Sequence, residues 1–211
     1  MKYHILNKYL AALSGLFLIL FLTGHLVGNL QLLIPESSGA QNQFNTYAQF
    51  MQTNPMVKVL SYTTYLAIIL HILITLKLTI NSRQNRSVKY KQNISPTTVS
   101  SKYMGILGTV ILAFLIIHLN DFWYKAHFEG QKDLYSIVML KFSDINYVII
   151  YVIAMLAIFL HLLHGFKSSF QSLGLVNSTL KKYIRLVGIA YALLIPFLFA
   201  LIPLSIYIGK I

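Results

Sequence analysis

Five stretches of this 211-residue chain are each long and apolar enough to cross about 30 Å of hydrocarbon as a helix. They cover residues 10–33, 58–80, 102–124, 146–168 and 184–208, and the first reads LAALSGLFLILFLTGHLVGNLQLL. In a bilayer every backbone polar group must be satisfied within the chain, so such runs leave an all-α membrane protein as the expected fold. Five helices are expected to form one bundle over residues 1–211, without a separate catalytic domain. Pro196 and Pro203 interrupt the fifth run but do not remove it, because neighbouring helices can cover the freed carbonyls.

Composition agrees. Apolar residues make up 56% and charged residues 10%, with a mean hydropathy of +0.66, too few charges for a soluble surface. The formal charge of +12 does not indicate nucleic acid as a partner, since the seventeen basic residues are scattered between oily runs. With no cysteine, disulfides, thiolate metal sites and covalent haem attachment through CxxCH are excluded. MKYHILNKYL opens with positive charge but leads into a long run without a small-residue cleavage site, and reads as a retained first span.

Charge sets the expected orientation. Lys2, Lys8, Lys77, Arg83, Arg86, Lys89, Lys91, Lys102, Lys167, Lys181, Lys182 and Arg185 fall at one set of helix ends. Lys58, Lys125, Lys132, Lys141 and Lys210 fall at the other, with the acids Glu36, Asp121, Glu129, Asp133 and Asp144. The positive-inside rule then places the N-terminus and the 81–101 loop in the cytoplasm, and Ile211 outside. The Asn-, Gln- and Ser-rich loop 34–57 is expected to cap the outer end.

Each of the first four runs carries a histidine: His25, His71, His118, and the pair His161/His164. At 1.5 Å per residue, His25 and His118 lie about 22–24 Å above the cytoplasmic surface. His71 and His161 lie about 10–14 Å above it, so two levels result, about 10 Å apart. Two imidazoles at one depth on different helices can meet an iron from opposite faces of a porphyrin, which fits bis-histidine haem b at each level. A lone membrane histidine is more simply an interhelical hydrogen bond or a proton relay. Four at matched depths favour the haem reading.

His161 and His164 compete for the fourth position, since they lie three apart on one helix, with depth slightly favouring His161. His164, nearer the basic rim, suits a propionate or a lipid headgroup. His4 and His127 are assigned no haem. Lys77, Lys167, Ser168, Ser169 and Gln171 are candidate propionate partners for the inner haem, the lysines being equally explained as snorkelling side chains. Gly15, Gly24, Gly28, Gly105 and Gly108 make room either for a ring edge or for close helix packing. Asn29, Gln31 and Asp121 are candidates for a quinone pocket beside the outer haem. Trp123 and Tyr124 read as interface anchors.

The stretches HLVGNLQ with His25, LHILITLKL with His71, FLIIHLNDFW with His118 and HLLHGFKSSFQSLGL with His161 resemble the cytochrome b subunit of succinate dehydrogenase/fumarate reductase. The likeness is to its single-subunit, five-helix, dihaem b558 type and runs from about residue 8 to 205, with HxxxG followed by SxFQxLG as its most specific motif. It implies that His25 pairs with His118 and His71 with His161, the histidine four before Gly165. It implies a flavoprotein and an iron–sulfur subunit on the cytoplasmic face of a bacterial cytoplasmic (inner) membrane, menaquinone as substrate, and assembly as a heterotrimer or a dimer of heterotrimers. Some fumarate-reducing relatives carry a membrane glutamate near the fourth ligand. Here Ile158 and Phe159 stand there, which leans toward succinate oxidation. Two other readings stay open: a dihaem anchor for another dehydrogenase, such as a hydrogenase or formate-type enzyme, and a haem-free transporter or proton channel using buried histidines.

Overall fold

A computed structural model describes residues 2–84, 99–130 and 132–209; the side chains of 2–4, 83 and 99–102 are not described. Arg86, Lys89, Lys91, Lys210 and Ile211, which bear on the orientation, lie outside the described residues. Those residues are almost entirely helical and contain no strand. Five segments are long and apolar enough to span a membrane: Ile5–Leu33, Pro55–Ser82, Tyr103–Phe128, Ile145–Ser172 and Leu180–Ile208. Each expected span falls on one of these, apart from Lys102 at the edge of the third, and the chain is a multi-pass helical membrane protein.

The helices are α1 (Lys2–Asn29), α2 (Ala40–Thr53), α3 (Pro55–Gln84), α4 (Val99–His118), α5 (Lys125–Phe128), α6 (Leu134–Phe142), α7 (Ile145–Ser172) and α8 (Leu180–Tyr207). A π-helical turn, Leu119–Tyr124, joins α4 to α5, which carries the third span four residues beyond its expected end. Helix starts have local causes. Asn54 Oδ1 accepts from the Met56 and Val57 amides at 2.9 and 3.3 Å, with Pro55 at the first helical position. Asp144 Oδ1 accepts from the Asn146 amide at 2.9 Å to start α7. At the other end of α7, Gly174 adopts φ +73° while the Leu175 amide bonds back to Phe170 O at 3.0 Å. The final glycine of SxFQxLG is thus a helix-stop residue, since a side chain disfavours that backbone conformation.

α7 is the central helix, packing on α1, α4 and α8, while α1 also packs on α3. Gly188 allows a close α7–α8 approach, where an added Cβ would stand 2.8 Å from Phe166 Cδ1. Taken in order round the bundle, α1, α3, α4 and α7 form a ring in which α1 faces α4, and α3 faces α7, across the interior. No residue in the most apolar stretch of the third span is buried within the chain.

The loop 34–57 does cap one end, but as a helix. Ala40, Phe44 and Ala48 of α2 are buried at a four-residue spacing and, with α6, cover that end. The cap core joins Leu32, Phe44, Tyr135, Val138 and Phe142 to Tyr151, Ile202 and Ile206 from α7 and α8.

Candidate functional site

The four expected histidines meet as two pairs across the diagonals of the ring. His25 on α1 faces His118 on α4, with ring centroids 5.8 Å apart and planes at 89°. His71 on α3 faces His161 on α7, at 6.4 Å and 70°. It is the ring of His161, not that of His164 one turn away, that faces His71.

Helix arithmetic separates the levels. His118 is bonded to Tyr151, while His161 lies ten residues further along α7, or about 15 Å. On α1, Gly15 touches His71 and lies ten residues from His25, again about 15 Å.

The spacing of the rings can be tested against the chemistry of a shared iron. A metal–imidazole bond is roughly 2 Å and the ring centre lies roughly 1 Å further, so two axial imidazoles have centroids roughly 6 Å apart. Both pairs match. Among the described residues no group of three or more His, Cys, Asp or Glu converges on a point, so the donor sets are pairs and do not form a metal cage. The surroundings suit an apolar ring: Phe21 stacks on His25 at 5.5 Å and Phe199 of α8 lies 5.6 Å from it. Phe114 and Phe122 lie 5.6 and 5.4 Å from His118.

Nδ1 has a polar neighbour in three of the four histidines. His118 Nδ1 is 3.2 Å from the Tyr151 hydroxyl, and His71 Nδ1 is 3.2 Å from Ser14 Oγ. His25 Nδ1 lies 3.4 Å from Asn29 Nδ2, the weaker contact of that amide, which donates to His25 O at 2.8 Å. His161 Nδ1 is buried without a hydrogen-bond partner.

The glycines divide. An added Cβ at Gly15 would stand 3.2 Å from His71 Cε1 and 3.3 Å from Ser169 Oγ, so Gly15 seats the histidine ring itself. At Gly28 it would collide with the Tyr47 side chain of α2. At Gly24 and Gly108 it would meet nothing within 4 Å, so these two leave space instead of forming close helix contacts.

Lys77 and Lys167 each lie six residues beyond their histidine, His71 and His161, toward the same end of the bundle. Lys77 and Gln171 are exposed, Lys167 and Ser168 half-buried, and Ser169 is buried with its hydroxyl on Gly165 O at 3.0 Å. The three quinone-pocket candidates behave differently from one another. Asn29 turns back on His25, and Gln31 Nε2 donates to Gly28 O at 3.2 Å. Asp121 is buried, with Oδ1 2.7 Å from Lys141 Nζ and Oδ2 without a partner. Sequence reasoning missed Ser14, Tyr47, Tyr151 and Lys141 as neighbours of this region. The four-residue spacing of Ala40, Phe44 and Ala48 was the available signal for α2 and hence for Tyr47.

No protein-family model, curated protein or solved structure matches the chain.

Proposed function

We propose that this chain is the dihaem cytochrome b anchor of a succinate:menaquinone oxidoreductase or fumarate reductase, carrying electrons between cytoplasmic flavoprotein and iron–sulfur subunits and menaquinone. The observation that carries the reading is the diagonal pairing of His25 with His118 and His71 with His161, at the centroid spacing two axial imidazoles need. When bound, haem b supplies reversible one-electron transfer at its iron.

The chain's own residues then have distinct tasks. His25 and His118 would hold the outer group, and His71 and His161 the inner one. Phe21, Phe114, Phe122 and Phe199 keep water from the outer pair. Lys77 and Lys167, with Ser168 and Gln171, bring positive charge and donors to the end where inner propionates would emerge. That end carries the basic excess, so it is the cytoplasmic one, with the N-terminus, in a bacterial cytoplasmic membrane. Quinone exchange belongs at the opposite end, where Asn29, Gln31 and Asp121 bring polar groups near the outer pair. α7 contains no acidic residue, which favours succinate oxidation over a fumarate reductase that moves a compensating proton through this helix.

The testing experiment is a dithionite-reduced minus oxidised spectrum of the purified complex, with haem and subunit stoichiometry. Two low-spin b haems per chain, with flavin and iron–sulfur partners, are expected. A folded but colourless protein, expressed with ample haem, would refute the reading.

A further inference from the structure

The inner pair is held unequally, and the cause lies on a helix that supplies neither ring. Ser14 of α1 is buried, 7% exposed, and its hydroxyl donates to Leu10 O at 2.8 Å, with Ala11 O at 3.2 Å. A hydroxyl has one proton, so what Ser14 Oγ presents to His71 Nδ1, 3.2 Å away, is a lone pair. With the hydroxyl proton on Leu10 O, Nδ1 carries the ring hydrogen, for which the Ala11 carbonyl is a second acceptor beside Ser14 Oγ, and the free pair of a neutral imidazole falls on Nε2. Gly15 makes the contact possible, because a Cβ there would press on His71 Cε1 at 3.2 Å. Across the pair, His161 Nδ1 is buried with no such partner.

We propose that Ser14 is a positioning residue: it fixes the tautomer of His71 and makes it the stronger donor of the inner pair, so that the inner haem is harder to reduce than it would be without the hydroxyl. The inference rests on the dihaem reading. Its physical basis is that a hydrogen bond from the distal ring nitrogen raises the basicity of the ligating one, which favours the more positive oxidation state of the iron.

The test is potentiometric titration of the purified complex carrying Ser14→Ala or Ser14→Thr, with haem content measured on the same samples. In Ser14→Ala one midpoint of the two is expected to rise, with the reduced-to-oxidised ratio shifting up to tenfold, or about 59 mV for one electron. Ser14→Thr keeps a hydroxyl and is expected to restore the wild-type value. If Ser14→Ala instead loses one haem while Ser14→Thr retains two, the hydroxyl is again what matters. Two haems with unmoved midpoints in Ser14→Ala, or loss of haem from both variants alike, overturns the inference and reduces Ser14 to helix packing. A wild-type complex without two b haems overturns the underlying reading, and this inference with it.

Discussion

Lys141 Nζ lies 2.7 Å from Asp121 Oδ1 and 2.7 Å from the Tyr147 hydroxyl, tying α6 to the π-helical turn and to the start of α7. Asp121 is 5% exposed and Lys141 19%, so the pair is largely removed from water. Removing one partner of such a pair leaves an uncompensated charge. Lys141→Met is expected to destabilise the fold by about 3 kcal/mol or more, and adding Asp121→Leu should recover most of the loss. Thermal unfolding of the single and double variants in detergent checks both. Burial opposes the Lys141 charge, but the bonds to Asp121 and Tyr147 outweigh it and hold the ammonium above the ordinary lysine range. The pair's contribution is thus intact below about pH 10 and fades as pH rises beyond it.

Acid should act on the cap by a different route. Asp133 accepts from Ser136 Oγ at 2.6 Å, Asn45 Nδ2 at 2.7 Å and Gln41 Nε2 at 2.9 Å, linking the start of α6 to α2. The Ser136 bond first, then the Asn45 bond, lower its carboxyl from 3.8 to about 2. A depressed carboxyl stabilises above its unfolded value and loses that stability as pH falls from about 4 to about 2. Because Asp133 is partly open to solvent, the contribution at neutral pH is expected to be only about 1 kcal/mol. Urea unfolding against pH should show a loss in this window, and Asp133→Asn should flatten it.

Haem content provides a third check, on the pairing itself. His25→Ala and His118→Ala are expected to abolish the same haem, and His71→Ala and His161→Ala the other. His164→Ala should retain both. Pyridine haemochrome stoichiometry with low-temperature spectra distinguishes these outcomes from uniform loss.

Gly28 offers a steric test of how the cap meets α1. The Tyr47 side chain occupies the place of a Cβ, so Gly28→Ala is expected to cost about 1–3 kcal/mol. Combining it with Tyr47→Leu should return part of that, as read by thermal unfolding.

How much of this was legible in the sequence follows from which interactions leave a one-dimensional trace. The spans were visible because hydrocarbon thickness demands about twenty apolar residues in a row, and all five were located. The histidine pairs emerged because depth is a linear count along a helix. α6 left no such trace, since Leu134–Phe142 is only nine residues long. Contacts that turn on azimuth were also hidden: Ser14 to His71 spans 57 residues, and Tyr47 reaches Gly28 from a helix read as a polar loop. The Asp121–Lys141 bond joins the π-helical turn to α6, two elements that the apolar pattern of the chain does not mark.

Phe199 stands 5.6 Å from His25, yet it belongs to the last span, which carries no histidine of its own. Ribosomes deliver the four histidine-bearing helices first and this wall only afterwards. The flank of this pair that Phe199 covers is therefore completed only when α8, the last span, joins the bundle.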